Sequence, residues 1–105
     1  MKDEIAEFKN EVVEKVKEEY SELASFLKRE RDEVKVRTHL ANADVQDQWR
    51  KVEAKWETFQ SRASVVGKVT EESAKEVGEA TKLVGAEIKE AYRRIRDTVD
   101  ATKRK

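Results

Sequence analysis

A chain of 105 residues that is 37% hydrophobic and 44% charged can build one domain only if its apolar surface is gathered into narrow stripes, as in a helical bundle or coiled coil. Lysine plus arginine equals aspartate plus glutamate at 23 each, so overall charge gives no case for nucleic acid or an anionic membrane as partner. The absence of cysteine excludes disulfide and thiolate chemistry, and no apolar run reaches the length of a signal peptide or membrane span. The expectation is a cytoplasmic protein.

Neither proline nor glycine occurs before Gly67, and helix-forming residues fill most polar positions. A helix can therefore start near Asp3 or Glu4 and meet no breaker for some ~60 residues. Its apolar pattern repeats every eleven residues: Val12, Leu23, Val34, Val45 and Trp56 form one series, and Ile5, Val16, Leu27, Thr38 and Trp49 a second. Eleven residues in three turns is about 3.67 per turn, which gives a nearly straight or gently right-handed stripe. The phase survives the charged run Lys28 to Glu33. That continuity favours a single helix over about 3–64, roughly 90 Å long. The alternative is a three-helix up-down-up bundle with a break near 31–36, where Asp32 offers an N-cap and Val34, Val36 and Thr38 are β-branched.

The stretch Asp47 to Phe59 carries the strongest apolar signal. Trp49, Val52, Trp56 and Phe59 recur at spacings of three, four and three, which places them on one helix face with Arg50, Lys51, Glu53, Lys55 and Glu57 turned away.

Ser64 to Thr70 reads as a reversal. Gly67 suits the left-handed conformation that ends helices, and Thr70 before Glu71 and Glu72 suits an N-cap followed by acidic residues that favour the helix dipole. A last helix over about 70–103 follows, with Val77, Ala80, Val84, Ile88, Ala91, Ile95 and Val99 again in an eleven-residue period. Antiparallel packing across the reversal sets Phe59 near Val77, Trp56 near Ala80, Val52 near Val84 and Trp49 near Ile88. Gly78 and Gly85 each cost about 1 kcal/mol in a helix. Together with Ala80 they predict a groove of small residues that receives Trp49 and Trp56.

Charge is segregated along the chain. Residues 1–22 hold eight acids and four bases, and residues 89–105 seven bases and three acids. Helix dipoles and the pairs Glu71 with Lys75, Glu90 with Arg94 and Asp100 with Arg104 account for most of this pattern. Arg93, Arg94, Arg96, Lys103, Arg104 and Lys105 remain as a basic patch able to meet an anion.

No catalytic motif stands out, and no enzyme, metal or cofactor is expected. His39 is the only histidine, so one chain cannot assemble a multi-histidine centre. The acid pairs Asp44 with Asp47 and Glu71 with Glu72 read as solvated carboxylates. The glycines at 67, 78 and 85 are too scattered for a phosphate loop.

A continuous first helix has a consequence for assembly. The last helix, roughly 50 Å long, covers only half of it and leaves Ile5, Phe8, Val12, Val16, Tyr20, Leu23 and Leu27 bare. A homodimer, or an unidentified protein partner, then covers that stripe. A three-helix bundle covers it within one chain.

The segments VGKVT at 66–70, VGEAT at 77–81 and VGAEI at 84–88 and the eleven-residue period resemble group 3 late-embryogenesis-abundant proteins over about thirty residues. The first half is similar to small uncharacterised coiled-coil proteins of bacteria. The late-embryogenesis family is rich in alanine and poor in aromatics, a pattern from which Trp49, Trp56 and Phe59 depart. Two functions are expected from these features. One is a non-enzymatic structural or interaction protein that self-associates through apolar helix faces and presents charged surfaces to a partner. The other, implied by the resemblance, is a stress-type protector acting at membrane or protein surfaces.

Overall fold

The computed structural model describes residues 2–39 and 41–103, with side chains described for 11–39 and 41–101. Three helices pack into a bundle of 66 × 20 × 16 Å: α1 (Lys2–Thr38), α2 (Ala43–Gly67) and α3 (Glu71–Lys103). The all-α bundle and the last helix are as expected. The continuous first helix is not, because the chain leaves α1 at His39 and enters α2 at Ala43.

Local chemistry explains the position of this break. Asn42 is extended (φ −72°, ψ 176°), and its Oδ1 accepts a hydrogen bond from the Val45 amide at 3.1 Å, so it caps α2. Asp44 sits in the first turn of α2, while Lys35 and Arg37 sit in the last turn of α1, each on the side its helix dipole favours. The Ala41 amide donates to the Thr38 carbonyl at 3.0 Å, and the Gln46 side-chain amide donates to the Ala41 carbonyl at 3.1 Å. The three-helix alternative therefore has the right architecture, with its break placed too early. Asp32 is an exposed residue inside α1, and Val34 is wholly buried.

The reversal at 68–70 has the expected Thr70 cap. Thr70 Oγ1 accepts from the Ser73 amide at 3.3 Å and Ser73 Oγ accepts from the Thr70 amide at 3.0 Å, a reciprocal capping box. Gly67 does not take the left-handed conformation. The helix instead tightens as it ends, with Lys68 donating to the Val65 carbonyl and Val69 to that of Val66, at 3.2 and 3.1 Å.

α1 and α3 run parallel, and α2 runs antiparallel to both. Leu23 lies on Gly85, Lys82 bridges to Glu19 at 3.4 Å and Arg37 to Asp100 at 3.2 Å. Between α2 and α3, Trp49 stacks on Tyr92 at 6.2 Å, Lys55 meets Glu87 at 3.8 Å and Arg62 meets Thr81 at 3.4 Å. This register differs by about one turn from the one expected, so Trp49 reaches Tyr92 rather than Ile88. Val69 is tucked under the end of the bundle, 7% exposed, and α3 therefore begins about one turn beyond the level at which α2 ends.

The core is continuous through Leu27, Val34, Val45, Val52, Phe59, Ile88, Tyr92 and Ile95, all fully buried. Each such side chain stabilises the fold by about 1.5–3 kcal/mol relative to exposure. The α1 stripe is turned inward: Leu27 is sealed in the core, Tyr20 and Leu23 are half-buried against it, Val16 is half-buried beside Gly78, and Val12 is half-buried. Folding back at 39–42 thus gives this stripe the cover that a continuous helix would have lacked. The side chains of Ile5 and Phe8 lie outside the described residues.

Candidate functional site

Five of the chain's seven aromatic residues and one arginine form a stack along the bundle. Tyr20 lies on Phe59 with ring centroids 5.0 Å apart, and Phe59 lies 5.8 Å from Trp56. The Arg31 guanidinium sits 5.9 Å from the centroids of both Trp56 and Trp49, and Trp49 in turn stacks on Tyr92. Helical spacing makes this possible, because Trp49 and Trp56 are two turns apart on one face of α2 and leave a gap that a side chain from α1 enters. Glu53 lies in the same gap and binds Arg31 through both oxygens, at 2.6 and 2.8 Å. That hydrogen-bonded carboxylate raises the Arg31 pKa and fixes its charge.

Glu53 was expected to point away from the tryptophans; it stands four residues after Trp49 and three before Trp56, which puts it on their face. Of the other expected packing residues, Val52, Trp56, Phe59 and Ile88 are buried, while Trp49, Val77, Ala80 and Val84 are half-buried. The two helix glycines face α1 rather than the tryptophans. A Cβ on Gly78 would stand 3.6 Å from Val16, and one on Gly85 would stand 2.5 Å from Leu23. The large-into-small fit exists, and its large members are Leu23 and Val16.

Tyr20 donates to the Phe59 carbonyl at 3.0 Å. Tyr92 is 1% exposed and its hydroxyl has no partner; burial, with Glu53 nearby, pushes its pKa well above the ordinary value. The stack and its ion pair are a clamp between α1 and α2 continued onto α3.

The basic patch at the end of α3 is largely neutralised where it is described. Arg93 pairs with Glu90 and Asp97, Arg94 with Glu90, and Arg96 with Glu30 and Glu33 of α1. Lys103 is described only in its backbone, and Arg104 and Lys105 lie outside the described residues. His39 is exposed, as are Asp44, Asp47, Glu71 and Glu72.

Each helix seam opens outward as a groove. That between α2 and α3 is about 640 Å³, with Lys51, Lys55 and Arg94 on its walls. The α1/α2 groove is about 470 Å³ and is floored by Tyr20, Trp56 and Phe59. No helix among the described residues is long and apolar enough to cross a membrane. No protein family, curated protein or solved structure matches the chain.

Proposed function

We propose that this is a non-enzymatic helical interaction protein of the cytoplasm, which self-associates and presents charged surfaces to a partner. The observation that supports this reading is how the fold distributes charge. Because α1 and α3 are parallel, their acidic beginnings share one end of the bundle: with the α2 segment beside them, residues 11–22 and 57–82 hold ten acids and six bases. The other end gathers residues 28–54 and 89–100, with eleven bases and nine acids. A chain of zero net charge thus has two ends of opposite sign, each complementary to the other end of a second copy.

Self-association of this kind is salt-sensitive, since the screening length falls from about 10 Å at 0.1 M salt to about 3 Å at 1 M. Light scattering on the full chain over a concentration series should give a dimer mass at low salt and a lower mass at high salt. A monomer mass under every condition would remove self-association from the proposal.

A further inference from the structure

We infer that two copies pair antiparallel through the flank formed by α2 and α3, each laying the acidic ridge of its α3 into the basic groove of the other. This rests on the self-association reading and names its surface and geometry.

The groove lies toward the 39–42 end of the molecule. Val52, Ala91 and Ile95 line its floor, and Lys51, Lys55 and Arg94 its walls. Asp97 also lines it, Lys55 reaches Glu87 at 3.8 Å, and Arg94 reaches Glu90 at 3.5 Å. Toward the other end, the outer face of α3 carries Glu72, Glu76, Glu79 and Leu83, spaced four, three and four, which makes them one exposed ridge. Leu83 is 63% exposed, and Val65 of α2 is 44% exposed.

Position along α3 makes the two halves of this flank complementary. Arg94 and Glu76 stand nine residues either side of Gly85, and Ala91, at the level of Lys51, and Glu79 stand six either side. A two-fold axis crossing the flank at the level of Gly85 therefore sets Glu76 of each copy against Arg94 of the other and Glu79 against Lys51, with Lys55, beside Glu87, about one turn from Glu79. Leu83 is two residues from that axis, about 3 Å along the helix, so the two copies of Leu83 meet. Seating a helix ridge in a groove between two helices is ordinary helix packing. The interface is isologous and closes at two copies.

The α1/α3 seam is a poorer candidate because its charges are matched across it, through Glu19 with Lys82, Glu30 with Arg96 and Asp100 with Arg37, whereas Lys51 of the α2/α3 groove and Glu76 and Glu79 of the ridge make no ion pair among the described residues. The 66 × 20 Å face of the bundle exceeds the roughly 800 Å² per partner of a standard interface. Its exposed ion pairs set orientation more than affinity.

The test uses the full chain, with dimer mass and affinity read by sedimentation or light scattering and folding checked by circular dichroism. K51E/K55E and E76K/E79K each place like charges together at both symmetry-related contacts, and each should weaken dimerisation by at least roughly tenfold. Mixed in equal amounts, the two variants carry opposite charges at positions 51, 55 and 79 of one contact and the native charges at the other, so a heterodimer should recover despite the like charges that position 76 and Arg94 place together at one contact. Leu83→Asp, at a site exposed in the monomer, should weaken the dimer independently. If wild type is a dimer and the variants remain as tight, this surface is wrong while self-association stands. If each variant is monomeric and the mixture stays so, the antiparallel arrangement is wrong. A wild type that is monomeric at its highest soluble concentration overturns both this inference and the self-association on which it rests.

Discussion

Arg31 of α1 reaches Glu53 of α2 with two hydrogen bonds, Nε to Oε1 at 2.6 Å and Nη2 to Oε2 at 2.8 Å, while its guanidinium lies 5.9 Å from the rings of Trp49 and Trp56. The two side chains are only 22% and 25% exposed, so neither regains full hydration if its partner is lost. Glu53→Ala should therefore destabilise the bundle by about 2 kcal/mol, within the range for hydrogen bonds between charged groups. A double-mutant cycle of Arg31→Met with Glu53→Gln, followed by tryptophan fluorescence in urea, should give a coupling above about 1 kcal/mol. The exposed pair Arg50 with Asp47, 74% and 62% exposed, should show almost none. Equal couplings would mean that the tryptophan sandwich adds nothing to the ion pair.

The two helix glycines separate in the same way. A Cβ at Gly78 meets Val16 at 3.6 Å, an ordinary contact, whereas at Gly85 it meets Leu23 Cδ2 at 2.5 Å and Cγ at 3.2 Å. Gly78→Ala should raise stability by up to about 1 kcal/mol, the difference in helix propensity. Gly85→Ala should give less or destabilise, because Leu23 must move. In a Leu23→Ala background that penalty should vanish, which thermal melts of the four proteins would show. Leucine at either site should lower the melting temperature; a rise would mean that α1 does not lie against these glycines.

Which parts of this fold were legible follows from what each signal measures. The α3 stripe and the Thr70 cap are local patterns, and both appear where the sequence places them. The break at 39–42 was hidden because Leu23, Val34, Val45 and Trp56 keep an eleven-residue spacing across it. Two helices that share a core each turn an apolar stripe inward, and a connection of suitable length preserves the spacing without preserving the helix. The overlooked signal was Asn42 followed by Asp44, a cap with an acid in the first turn. The Arg31 clamp was not legible, since nothing local says which α1 side chain enters the gap between Trp49 and Trp56. The α2/α3 register was missed because it depends on how Val69 closes the end of the bundle, which is tertiary.

Asn42 gives this account a direct test. Its side chain is the acceptor for the Val45 amide at the start of α2, so Asn42→Ala should cost about 1 kcal/mol and Asn42→Gly only a few tenths. Asn42→Asp should be close to neutral. Chemical denaturation of the three variants would decide it: an alanine variant as stable as wild type would mean that the connection between α1 and α2 is set by packing rather than by the cap.

Tyr92 and Tyr20 have opposite hydrogen-bonding fates and should respond in opposite ways to loss of the hydroxyl. Tyr20 donates to the Phe59 carbonyl, and Tyr20→Phe should cost about 1 kcal/mol. The Tyr92 hydroxyl is buried without a partner, so Tyr92→Phe should leave stability unchanged or raise it. Alkaline pH adds a second readout. Desolvation, reinforced by Glu53, raises the Tyr92 pKa above its ordinary 10.0, whereas in the unfolded chain the phenol loses its proton near pH 10. Above that pH the unfolded state binds fewer protons than the folded state, so stability falls as pH rises. The contribution is intact below pH 10 and is lost through the alkaline range up to the raised pKa. Lysines titrate in the same range, and the informative quantity is the difference between proteins. Wild type should lose up to about 1.4 kcal/mol per pH unit more than Tyr92→Phe between pH 10 and 12. Parallel curves would mean that the phenol ionises as readily in the bundle as in the unfolded chain, and that the Tyr92 hydroxyl is not sealed beneath Trp49.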